Sequence, residues 1–132
     1  MQSNTRYSVV EEVSPQKAEQ DIKYVLTRGA QKFASDLRKS KYHQLRKYYN
    51  EIVSVLDDLK KKDTEYSSSS AEDQRIKIYM LKARASYDCQ RRLLDESLVS
   101  FIEKWVDYVK NSPDLERFKL VYEAILAYSK QK

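Results

Sequence analysis

The chain has 132 residues with one glycine, two prolines, one cysteine and one histidine, and its formal net charge is +5. Sheets and tight hairpins draw on residues that reach positive φ, so this composition argues against a β architecture and for an all-α chain, a compact bundle of five or six helices. A lone Cys89 excludes an intrachain disulfide. No apolar run approaches the roughly 18 residues of a membrane span, and no membrane association is expected.

Met1 to Val13 has no clear period and reads as an arm that is frayed or orders on assembly. Its opening, MQSNTRYSVVEEV, lacks an uninterrupted apolar core, so no leader is read there and a cytoplasmic location is expected. Ser14-Pro15 predicts an N-cap followed by proline at the first helical position. Ala18, Ile22, Val25 and Leu26 form the stripe of that helix, and Gly29 marks an end or a kink before a second run through Ala30, Phe33, Ala34 and Leu37.

After Ser40 a long helix is predicted, because Leu45, Tyr48, Tyr49, Ile52, Val55, Leu56 and Leu59 recur at steps of three and four. Lys60, Lys61 and Lys62 suit the negative end of its dipole. Asp63 to Ala71, with four consecutive serines, reads as a flexible loop inside a single domain that spans the chain.

A helix from Glu72 to about Leu94 follows. Ile76, Tyr79, Met80, Ala83, Tyr87 and Leu94 share one face, expected to pack, while Lys77, Arg84 and Arg91 line another. Asp95 or Ser97 then caps a helix whose apolar face is Leu98, Phe101, Ile102, Trp105, Val106 and Val109. Ser112 is expected to cap the last helix, with Pro113 first inside it. That helix carries Leu115, Phe118, Val121, Tyr122, Ile125 and Tyr128 on one side and Leu120, Ala124 and Ala127 on others. Either a partner subunit or a central place in the bundle accounts for the excess.

Catalytic constellations are missing. One glycine leaves no phosphate-cradling loop, and one His with one Cys leaves no metal cluster of recognisable spacing, so no enzyme activity, cofactor or metal is expected. His43 lies on a polar helix side with no fixed partner, and Cys89 reads as a small buried hydrophobe. A metal-free hydrolase is the remotest alternative.

Charge carries more information. Arg38, Lys39, Lys41, Arg46 and Lys47 lie between Leu37 and Asn50 without an acid, whereas Asp95 to Glu123 holds seven acids against four bases. Lys77, Arg84 and Arg91 climb about 10 Å per step along one helix side, with Arg92 beside them. Such rows meet several phosphates at once, which makes binding salt-sensitive and indifferent to base sequence. A merely solvated face explains the same residues. Most of the eleven tyrosines, including Tyr49, Tyr79, Tyr87 and Tyr122, fall on apolar faces and are read as core rather than as base-stacking surfaces.

Three stretches carry a resemblance: Gln44-Leu45-Arg46-Lys47-Tyr48-Tyr49, Leu81-Lys82-Ala83-Arg84-Ala85-Ser86-Tyr87, and Phe118 through Tyr122-Glu123-Ala124-Ile125-Leu126-Ala127-Tyr128. Together, in this order and over about Gly29 to Lys130, they resemble the small helical subunit of type III-A CRISPR effector complexes, the Csm complexes. The resemblance implies a non-catalytic protein in several copies, stacked along a filament that pairs CRISPR RNA with target RNA. Its partners would be that RNA, the other subunits and further copies of itself. Arg46, Lys47 and Arg84 are the RNA-contacting residues it points to, and Lys77 and Arg91 follow by helix geometry. Arg38, Lys41 and Arg92 complete the candidate set. Gln44 is expected at a helix junction, and Glu123 in a pairing with Lys or Arg within the chain. The alternative is a helical protein–protein adaptor whose basic faces are only solvated.

Overall fold

Ser14 caps a helix as its spacing predicts: its Oγ accepts the Lys17 N–H at 3.1 Å, with Pro15 leading α1 (Pro15–Gln20). In this computed structural model, which describes residues 9–130, the chain breaks at once at Asp21, whose φ of −157° and ψ of 80° are not helical. The Asp21 carboxylate then caps a new start by accepting the Tyr24 N–H at 3.1 Å, leading through α2 (Ile22–Tyr24) into a π turn, Val25–Gly29. Gly29 neither ends nor kinks the run as expected. It continues into α3 (Ala30–Asp36) with ordinary helical φ of −61°. Its role is steric, since a Cβ there would collide with the Glu12 carbonyl oxygen.

The remaining helices are α4 (Tyr42–Lys61), α5 (Glu72–Gln90), α6 (Glu96–Tyr108) and α7 (Ser112–Lys130), and no strand occurs among the described residues. α7 packs against both α3 and α4, while α5 packs against α6 and α4. The apolar excess read from the sequence is not taken up by a central place, since Leu120 and Ala127 are exposed and Ala124 is half-buried; Leu126 instead joins Leu115, Phe118, Val121, Tyr122 and Ile125 in the core. The core is aromatic in its middle. Phe101 lies 5.4 Å from Phe33 and 5.9 Å from Tyr122, and Trp105 stacks on Phe118 at 5.6 Å.

Two parts read from the sequence as loose are tied to this core. The expected arm before Val9 lies outside the described residues. From Val9 onward, Val10 and Val13 are buried and the Val13 carbonyl accepts the Trp105 Nε1–H at 2.9 Å. In the serine-rich segment Tyr66 is buried, and the Arg75 guanidinium donates to the carbonyls of Tyr66 and Ser68. The cap of α7 also differs from expectation. Asn111 Oδ1 accepts the Asp114 N–H at 2.9 Å, which leaves Ser112 Oγ to accept the Tyr66 N–H at 2.9 Å.

The largest correction concerns α5. Its buried face is Gln74, Ile78, Leu81, Ala85 and Asp88, whereas Ile76, Tyr79, Met80, Ala83 and Tyr87 all face solvent. Apolar residues occupy both sides of this helix, so periodicity offers two packing faces of similar strength. The neighbours decide between them: the smaller set fits against α6 and α4, and Leu94, beyond the helix end, is buried separately.

Candidate nucleic-acid interface

α4 and α5 run side by side, joined across their contact by Tyr48. Its hydroxyl donates to the Asp88 carboxylate and lies 3.3 Å from the Arg84 carbonyl. Burial, then the Asp88 carboxylate, push the Tyr48 pKa well above its ordinary value, against the opposing pull of Arg84. This contact places two candidate cations together. Lys47 reaches Gln44 Oε1 at 3.1 Å and Asp88 at 3.7 Å, and Arg84 lies over the Tyr48 ring, 3.9 Å from Glu51. Gln44, half-exposed, thus serves Lys47 rather than a buried junction.

A second basic group comes from two loops. The Asp95 carboxylate accepts the backbone N–H groups of Arg38, Lys39 and Ser40 at 2.9–3.2 Å, and the Ser40 hydroxyl at 2.7 Å. Burial pushes its pKa up, but these bonds outweigh burial and hold the carboxyl below its ordinary value. The loop carrying Arg38, Lys39 and Lys41 is thereby fixed beside the end of α5, where Arg91 and Arg92 stand. Arg92 takes a left-handed φ of 65°, and the Leu93 N–H returns to the Asp88 carbonyl at 2.9 Å. Lys41 precedes α4 and is exposed. Asp95 stands at the N-cap of α6 but gives its side chain to the neighbouring loop instead.

The candidates do not form one unbroken row. Lys77 is exposed at the far end of α5, in a groove of about 390 Å³ shared with Asn50, Asp57, Asp58 and Lys61. Arg46 is exposed and influences Tyr49, on the side of α4 facing α7. There the Tyr49 hydroxyl donates to Glu123 at 3.2 Å, and Lys119 lies 3.6 Å from that carboxylate, the intrachain pairing expected for Glu123. His43 is exposed, and Cys89 is half-buried rather than buried, its thiol pKa raised first by burial. Tyr122 is core, Tyr49 is half-buried, and Tyr79 and Tyr87 are exposed, contrary to their reading as core. The sequence reading missed the positioning residues Asp95, Ser40 and Asp88. Nothing local to Asp95 signals a partner 55 residues away.

Among the described residues no group of three or more His, Cys, Asp or Glu is placed to hold a metal ion, and no helix is long and apolar enough to cross a membrane. Chemically, the arrangement offers cations whose backbone positions are fixed by Tyr48, Asp88 and Asp95. Lys47 and Arg84 lie on adjoining helices, and Arg38, Lys39, Lys41, Arg91 and Arg92 on adjoining loops, which suits an extended polyanion better than a small substrate. Residues 19–132 match the family model described as Csm2 Type III-A. No curated protein and no solved structure matches the chain.

Proposed function

The chain belongs to the Csm2 family, the small subunit of type III-A CRISPR Csm complexes, and from that premise we propose that it is a non-catalytic clamp on the RNA backbone. The observation that supports this is the alignment of α4 with α5 beside the Asp95-bound loops. It gathers Lys47, Arg84, Arg38, Lys41, Arg91 and Arg92, while Arg46 and Lys77 extend the charge outward. From Leu37 to Asn50 there is no acid, and between Gln74 and Gln90 the only acid, Asp88, is 7% exposed. Such a surface attracts phosphates without reading bases.

In this reading guide or target RNA lies along α4 and α5, further copies of the chain and the larger subunits contact its other faces, and cleavage belongs to those larger subunits. The setting is the cytoplasm. The adaptor reading keeps one observation of its own, the exposed apolar stripe of α5. Titration of single-stranded RNA at several salt concentrations separates the two. Arg84→Glu with Arg91→Glu is expected to weaken binding and flatten its salt dependence; unchanged affinity and slope would leave the adaptor.

A further inference from the structure

The exposed stripe of α5 has an unusual setting. Four of its residues, Ile76, Tyr79, Met80 and Tyr87, are 48–61% exposed, with Tyr87 the most open. Lys77, Arg84 and Arg91 flank the stripe on one side and Arg75 and Lys82 on the other. Glu72 and Asp73 open the helix on this outer face, and past that first turn its one acid, Asp88, is turned inward to Tyr48. Arg91 lies 5.4 Å from the Tyr87 ring centroid and still leaves that side chain 61% exposed. Tyr79 lines a cleft of about 620 Å³ together with Arg75, Lys110, Lys82 and Asp107, the last two paired at 3.0 Å.

A helix of another protein would need acids to answer both flanks. A single RNA strand brings phosphates and flat bases together, and stacking on aromatic rings beside cations is how such strands are held without sequence preference. We propose that Tyr87 and Tyr79 form a base-stacking platform for unpaired RNA on the outer face of α5. The platform rests on the RNA-contacting reading above and adds base contact to phosphate contact. Bases already stacked in a duplex are denied to it.

The test is a titration of the full chain with a fluorescently labelled single-stranded oligoadenylate, and with the same oligomer paired into a duplex. Tyr87→Ala should weaken the single-strand complex about tenfold, leave its salt slope unchanged and leave the duplex complex unaffected. Tyr87→Phe should retain binding, and Tyr79→Ala should show a smaller loss of the same kind. The exposed position of both rings means that circular dichroism should show native folding in each variant. If both alanine variants bind like the parent while Arg84→Glu with Arg91→Glu does not, the platform is wrong and the phosphate clamp stands. If neither series changes affinity, the RNA-contacting reading fails with it. Equal losses on single strand and duplex overturn the platform. So does loss of self-association in sedimentation with RNA affinity intact, which would make the stripe a protein contact.

Discussion

Asp95 and Ser40 exchange hydrogen bonds across the junction of two loops: the Asp95 N–H donates to Ser40 Oγ at 2.8 Å, while the Ser40 N–H and hydroxyl both donate to Asp95 Oδ2. With the N–H groups of Arg38 and Lys39 on the same carboxylate, one acid orders a loop that carries three cations.

Asp95→Ala should cost about 2 kcal/mol in urea unfolding, since four donors lose a charged acceptor while keeping some access to water. In the clamp reading RNA affinity should fall as well, although no cation has been removed. Ser40→Ala should cost about 1 kcal/mol. The pH dependence follows from the lowered pKa. The folded carboxyl holds its proton less tightly than the unfolded one, so its contribution is present above the unfolded value and is lost as pH falls through the folded value. Acid unfolding of Asp95→Ala, measured against the parent, should therefore show a weaker loss below about pH 4.

Gly29→Ala tests close approach against propensity. Alanine favours a helix over glycine by about 1 kcal/mol, and Gly29 already has helical φ. The Glu12 carbonyl, however, occupies the space its Cβ requires. The variant should lose about 1–3 kcal/mol, read as a lowered thermal midpoint by circular dichroism. A raised midpoint would show that the segment around Glu12 yields readily.

Arg92 stands in a left-handed conformation that glycine adopts without a Cβ penalty. Arg92→Gly should stabilise the chain by about 1 kcal/mol and, in the clamp reading, weaken RNA binding. Opposite signs in urea unfolding and RNA titration would identify a residue kept for charge at a cost to stability. Equal gains or equal losses would remove that reading.

Alkaline titration should be biphasic. Burial, then Asp88, raises Tyr48; burial drives Tyr122 well above its ordinary value; and burial lifts Tyr66 to about 12. A group whose folded pKa exceeds its unfolded one stabilises in full below the unfolded value, so the contribution of these tyrosines should be whole below about pH 10 and be lost as pH rises on through their folded values, about 12 for Tyr66. Tyrosinate absorbance should rise first from exposed rings and then abruptly with unfolding. Tyr48→Phe, which leaves the Asp88 carboxylate without its hydroxyl donor, should cost about 1–3 kcal/mol at neutral pH.

The all-α class, the starts of α1 and α4, and the packing faces of α4, α6 and α7 were legible in local pattern. Those helices carry one dominant apolar stripe each, so local periodicity and burial agree, as Leu45, Ile52 and Leu59 illustrate. Local pattern also supplied every cation of the candidate interface, because charge segregation is written along the chain. Which side of α5 is buried depends on its neighbours. With Ile78, Leu81 and Ala85 on one side and Ile76, Met80 and Tyr87 on the other, the helix itself holds no preference, and the choice falls to the shape of α4 and α6. The same is true of Asp95 and of Gly29, whose roles are set by Ser40 and Glu12, partners that no local pattern announces. Periodicity belongs to one helix, whereas a helix acquires its inside, and a carboxylate its donors, from the elements packed against it.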